Sequence, residues 1–186
     1  MRKLTILILI IVAFFVIMGI GFFSIFGLGF LSASNNYTGN GISFEYPADY
    51  KITEVKNNST FLTGIDTKNP DLTFQISKSP VNGTVYSGMG LDKYYNTLLN
   101  DFKSRGWFTF SSNTTLFVDD TDNEVQSYSI DYMEKLPSKA DADSVNGRIT
   151  MFDKNGIRYI IDFQGKGKQR YDGWGDIKVT TSFEVK

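Results

Sequence analysis

After Met1-Arg2-Lys3 the chain runs from Leu4 to Leu31 without a charged side chain, and the next one after Lys3 is Glu45. Few folded arrangements accept such a stretch. At about 1.5 Å rise per residue a helix over 4–31 reaches roughly 42 Å, against about 30 Å of bilayer hydrocarbon, so it spans with residues to spare. A secretory signal peptide has an apolar region of only about 7–15 residues, and the small residues Ser32-Ala33-Ser34 lie far from Lys3 for a cleavage site. Residues 1–33 therefore predict a retained single-pass transmembrane anchor. The positive-inside rule puts Arg2 and Lys3 in the cytoplasm and everything after Ser34 outside, a C-terminal domain on the extracytoplasmic side of a cell membrane. Glycines at 19, 21, 27 and 29 include no pair four apart, so the close-packing helix motif is missing and membrane lipid is the expected partner of this segment.

Residues 34–186 make one ordinary domain. Lysines and arginines number 19 against 20 acids, and this balance provides no field for gathering phosphates, so nucleic acid is not an expected partner. The chain has no cysteine and no histidine, which removes disulfides, thiolate nucleophiles, the usual zinc ligand sets, imidazole acid–base chemistry and the lipid-bearing cysteine of a bacterial lipoprotein. Asn-x-Ser/Thr triplets at Asn36, Asn57, Asn58, Asn82 and Asn113 mark surface loops first and glycan acceptors second.

From Ser34 to Asn40 the chain is polar and turn-forming, which predicts a linker over 34–40. Ile42, Phe44 and Tyr46 alternate with polar residues up to Pro47 and predict a strand with one buried face. Tyr50–Lys56 and Phe61–Asp66 read as the next two strands around a turn at 57–60. Leu72, Phe74 and Ile76 mark a fourth, ended by Pro80. The period then changes. Leu91, Tyr95, Leu98 and Phe102 recur at helical spacing, Asp92 and Lys103 match the helix dipole and Gly106 closes the run, predicting a helix over 91–105. Trp107, Phe108 and Phe110 suggest a short strand, and Val125–Met133 and Arg148–Phe152 suggest longer ones. Asn155-Gly156 supplies the two-residue turn of a hairpin over 149–163. Beyond Gly165 the tail reads two ways: Tyr171, Trp174 and Ile177 suit a short helix, whereas Ile177, Val179, Thr181, Phe183 and Val185 alternate as in a strand.

Gly41-Ile42-Ser43-Phe44-Glu45-Tyr46-Pro47 and the closing Thr181-Ser182-Phe183-Glu184-Val185 resemble the opening and closing strands of the PsbP-like domain family. The resemblance covers residues 41–186. It implies an α+β fold, a central antiparallel sheet with helices packed on its faces, here preceded by one N-terminal transmembrane helix. It implies function poorly, because the group includes an extrinsic subunit that assists the oxygen-evolving complex, proteins without an assigned role and, more distantly, a regulator of a small GTPase. The chain departs from the photosynthetic members in its apolar N-terminal run and its lack of histidine, so no functional residues transfer.

Few residues suggest chemistry. Asp119-Asp120-Thr121-Asp122-Asn123-Glu124 is rich in oxygen ligands, but a calcium loop starting at Asp120 has Val125 where the sharp turn calls for glycine and Asp131 where it calls for glutamate. It reads as a solvated turn, as does Asp141-Ala142-Asp143-Ser144. Gly165-Lys166-Gly167-Lys168 lacks P-loop spacing and reads as a basic turn, with Lys166, Lys168 and Arg170 available to an anionic partner. There is no Gly-x-Ser-x-Gly elbow. No catalytic, cofactor-binding or metal-ligating residue is assigned and no cofactor is implied. The expectation is a non-catalytic, membrane-tethered extracytoplasmic binding or scaffolding module whose partner is an envelope protein or surface polymer. Its alternative is a carboxylate-dependent hydrolase or carbohydrate-active domain, which would need two converging carboxylates in a deep pocket. Tyr94, Trp107 and Trp174 are the aromatic candidates for partner contact.

Overall fold

The computed structural model describes residues 33–55, 60–83, 88–117 and 124–186. The apolar run and its predicted helix lie outside these residues, as does the turn expected at 57–60 apart from Thr60; among the described residues no helix is long and apolar enough to cross a membrane. Residues 34–186 form one compact unit.

In chain order the unit contains β1 (Ser34–Gly39), β2 (Ile42–Pro47), β3 (Tyr50–Glu54), β4 (Thr60–Asp66), β5 (Leu72–Pro80), α1 (Leu91–Ser104), β6 (Phe108–Phe117), β7 (Glu124–Met133), β8 (Val145–Lys154), β9 (Ile157–Lys166), α2 (Gly173–Thr181) and β10 (Glu184–Val185). Among the described residues the strands form a small antiparallel sheet, β1-β2-β10, and a large one ordered β3-β4-β5-β9-β8-β7-β6. The expected α+β architecture with an antiparallel sheet and packed helices is present.

The stretch expected to be a linker is β1. It pairs with β2 along its length, from Ser34 opposite Pro47 to Gly39 opposite Ile42. The intervening Asn40 and Gly41 have φ of 55° and 75°, the left-handed pair that a two-residue hairpin turn requires. Apart from the half-buried Tyr37, which packs on Phe44, the residues of β1 are small or polar and leave no apolar alternation, so its strand character comes from pairing with β2. Asn155 (φ 53°) and Gly156 (φ 73°) repeat the same turn between β8 and β9, where a hairpin was predicted.

The two motifs that carry the resemblance meet in space. Glu184 pairs with Ser43 and Val185 with Ile42, and the rings of Phe44 and Phe183 stack 5.8 Å apart at 5°. The serines bind the same junction: Ser182 Oγ accepts from the Glu45 backbone N–H at 2.7 Å, and Ser43 Oγ donates to Glu184 Oε2 at 2.8 Å. The tail thus resolves as helix first and strand after, with Ser182 and Phe183 at the change.

Two apolar clusters lie on opposite faces of the large sheet. One joins Ile42, Phe44, Phe74, Phe163, Val179 and Phe183 beneath the small sheet and α2, and the other packs the predicted stripe of α1 onto Ile130, Tyr132, Ile149 and Met151. Phe74 is fully buried and stacks on Phe163 at 4.9 Å, and its cross-strand neighbour on β4 is Gly64. A Cβ at Gly64 would lie 2.1 Å from the Phe74 ring, so the glycine makes room for the aromatic centre. Gly64→Ala should destabilise the fold by roughly 1–3 kcal/mol, because the buried ring has no free space to yield. A lowered midpoint in chemical denaturation of the purified protein checks this.

Candidate binding cleft

Cross-strand register lays Phe110, Asp131, Arg148, Phe163 and Phe74 in one row across the face that carries α2. The row is apolar on β5 and β9 and turns polar on β8 and β7. The next row continues the change with Ser112, Ser129 and Thr150, where the Ser129 and Thr150 hydroxyls bond at 2.9 Å. α2 matches this surface by burying Asp176 and Thr180 beside Val179.

Arg148 joins strand to helix. Its Nη2 donates to Asp131 Oδ2 at 3.1 Å and its Nη1 to Asp176 Oδ2 at 3.4 Å. The Tyr171 hydroxyl donates to the other Asp131 oxygen at 2.6 Å. Asp176 is only 2% exposed, and its Oδ1 and Arg148 Nε find no hydrogen-bond partner among the described residues. Burial pushes Asp176 up to about 7 despite the opposing pull of Arg148, and Asp131 and Asp172 add to the rise. Burial also opposes the charge on Arg148, but Asp131, Tyr171 and Asp176 outweigh it and hold the guanidinium above its ordinary value. Burial and the bond to Asp131 raise Tyr171.

Residues 167–172 carry the chain from β9 over the sheet to α2. Asn146 on β8 holds this crossing, donating to Gly165 O (3.2 Å) and Gln169 O (2.7 Å) while its Oδ1 accepts from Tyr171 N (2.9 Å). The backbone passes so close that a Cβ at Gly165 would lie 2.5 Å from Gln169 O. α2 then starts on Asp172, whose carboxylate accepts from Gly175 N at 2.9 Å.

Arg148, Arg170 and Tyr171 form a partition with an open recess on each side. One recess, of about 480 Å³, has Phe108 and Phe110 on its wall; the other, of about 690 Å³, has Trp174 and Ile177. These four are 52%, 70%, 39% and 37% exposed and make up most of the large apolar side chains left exposed among the described residues. Arg170 also lines a third recess with Lys135 and Lys168. The cleft therefore offers apolar walls around Arg170 and the ion-paired Arg148, with Asp131 lining one recess and Asp66 and Asp172 the other, a mixed surface suited to a ligand with aromatic or aliphatic groups and hydrogen-bonding groups.

The aromatic candidates separate here. Trp174 stands on the rim, whereas Trp107 is half-buried against Phe102 (5.0 Å) and Tyr132 (5.7 Å), and the half-buried Tyr94 ring has the Arg158 guanidinium 5.0 Å from its centre. Of the basic turn, Arg170 enters the cleft and Lys168 its neighbouring recess. The acidic run at 119–124 lies outside the described residues except for Glu124, which begins β7. Ser144 bonds back to Asp141 O, as expected of a turn. Among the described residues no group of three or more metal-ligating side chains is gathered. Sequence reasoning did not single out Asp131, Arg148 and Asp176, though a charged residue at an inward position of an apolar strand, as at Arg148, was a usable signal.

No protein-family model matches the chain, and no curated protein matches it by sequence. Among solved structures it is similar to the cyanobacterial PsbP of Synechocystis, at 17% identity and a TM-score of 0.51, over 83% of this chain and 94% of that one. The fold is PsbP-like. A protein from Bacteroides thetaiotaomicron is also similar, at 13% identity and a TM-score of 0.48, over 83% of this chain and 48% of that one. In this PsbP-like unit the cleft lies between α2 and the β6 side of the large sheet.

Two measurements test the cleft's construction. A carboxyl raised from 3.8 to about 7 keeps its proton in the folded state where the unfolded chain has lost it, so it lowers stability as pH rises through that window. Asp176→Asn should therefore gain on the wild type by roughly 2–4 kcal/mol between about pH 4 and pH 7.5, read from denaturation midpoints. Asn146→Ala should cost roughly 1–3 kcal/mol and speed amide exchange at Tyr171, whose N–H loses its acceptor.

Proposed function

We propose that the chain is a non-catalytic, membrane-tethered binding or scaffolding module on the extracytoplasmic side of a cell membrane, and that the Arg148–Arg170 cleft receives its partner, an envelope protein or surface polymer. One observation carries the reading: Phe108 and Phe110 on one side and Trp174 and Ile177 on the other stand exposed in two adjoining recesses that share the Arg148 and Arg170 guanidinium groups. Interface hot spots are enriched in Trp, Tyr and Arg, and folded monomers seldom leave such groups clustered in water. The charge-free run after Lys3 supports the tether.

The hydrolase alternative needs two acids facing each other across a gap that substrate or water enters. Asp131 and Asp176 do converge, but on Arg148, whose two terminal nitrogens bond to them. The guanidinium fills the position that a reacting group would take, and the raised Asp176 is accounted for by its burial on the sheet-facing side of α2.

Site-specific photo-crosslinking in native membranes tests the reading. A crosslinker replacing Ile177 should label a discrete neighbour, whereas one replacing the exposed Lys93 on α1 should not. Arg170→Glu should weaken the Ile177 adduct by about tenfold, the equivalent of roughly 1.4 kcal/mol of binding. Equal labelling from both positions overturns the cleft assignment. Protease added to intact cells should degrade the unit after Ser34, and its full protection overturns the extracytoplasmic placement.

A further inference from the structure

The large sheet ends in two unlike edges. At one end β3 is five residues long and carries Lys51 and Glu54, the kind of short, charged edge that resists pairing with another chain. At the other end β6 is ten residues long, pairs with β7 in unbroken register, and contains neither charge nor proline. The uncharged stretch extends from Gly106 to Val118 in a chain that is 21% charged. Along its outer side alternate backbone N–H and C=O groups lack a strand partner among the described residues, and Phe108 and Phe110 stand exposed beside them. Neither a charge nor a proline in the strand guards against strand addition.

We propose that β6 pairs antiparallel with β6 of a second copy of this chain about a two-fold axis normal to the sheet, making one continuous sheet across the dimer. The sequence of the strand fits itself. With Ser112 opposite Ser112 of the second copy, Phe108 falls opposite Leu116 and Phe110 opposite Thr114 on the α2 face, while Thr109 meets Thr115 and Ser111 meets Asn113 on the other face. Each exposed phenylalanine gains an aliphatic or methyl-bearing neighbour, each remaining polar side chain gains a hydroxyl or amide, and no charge is buried; such cross-strand pairs stabilise sheets. The isologous geometry consumes both free edges at once, so assembly stops at two copies. A dimer of this kind also sets the two clefts side by side, since Phe108 and Phe110 belong to both features. It requires no ligand in the cleft, so its test is separate from the crosslinking at Ile177.

The chain has no cysteine, which makes single-cysteine variants of the full-length protein in native membranes a direct probe. In the stated register two Ser112→Cys side chains have Cβ atoms about 4.5–5.5 Å apart and should form an intermolecular disulfide under mild oxidation. Two Thr109→Cys side chains lie roughly 20 Å apart along the strands and should not, whereas mixing Thr109→Cys with Thr115→Cys should. Ser111→Lys, a substitution at an exposed position, should convert the wild-type dimer to a monomer when full chains are sedimented in detergent micelles. Equal disulfide yields at 112 and 109 overturn the pairing. So does a wild-type chain that sediments as a monomer, including one whose edge is found paired with a strand of another protein.

Discussion

The nine-pair ladder between β5 and β9 holds the domain together. β3, β4 and β5 follow one another as a meander, and so do β6 to β9, so each half of the large sheet is built from neighbours in sequence. Only this seam joins the halves, and it must close across the chain from Pro80 to Ile157 before any of its contacts repay the loss of chain freedom. Phe74 on Phe163 and Ile76 opposite Ile161, all fully buried, supply that return. The small sheet and α2 then pack on the surface the seam creates, which is why the opening and closing motifs meet above it.

Away from the seam the same face becomes polar, and this gradient makes the cleft. A fully apolar face would have been sealed by α2. Instead Arg148, Asp131, Ser129 and Thr150 require hydrogen-bonding partners, and the helix supplies Asp176 while the segment before it supplies Tyr171. Burying such a network costs desolvation that its bonds only partly return, visible in the raised Asp176 and in the two of its polar atoms that find no partner among the described residues. The compensation is geometric: it holds the crossing segment where Arg170 and Trp174 border open recesses, with Phe110 across the partition.

Elements whose conformation is decided within a few residues were legible. The stripe of α1, the alternation in β2 and β5 and the Asn155-Gly156 hairpin all appear as read. β1 did not, because Tyr37 is its one large apolar side chain and the rest leave no alternating pattern, although Asn40-Gly41 carries the same turn chemistry as the hairpin that was recognised. β6 extends well beyond the three aromatics that suggested it, through a run of Ser, Asn and Thr that pairing with β7 makes into strand. The tail was undecided because its residues suit both periods; Asp172 capping α2 and Phe183 stacking on Phe44 settle it.

By itself the sequence determined the absence of thiol and imidazole chemistry, the charge-free run that predicts an anchor, and the local periods and turns of the domain, because these depend on composition or on sterics between near neighbours. Tertiary structure alone decided that Asp131, Arg148 and Asp176 form one network, that Arg170 and four exposed apolar side chains border one cleft, and that β6 is a sheet edge. Those residues come from three strands, a crossing segment and a helix, and only the cross-strand register places them within reach of one another.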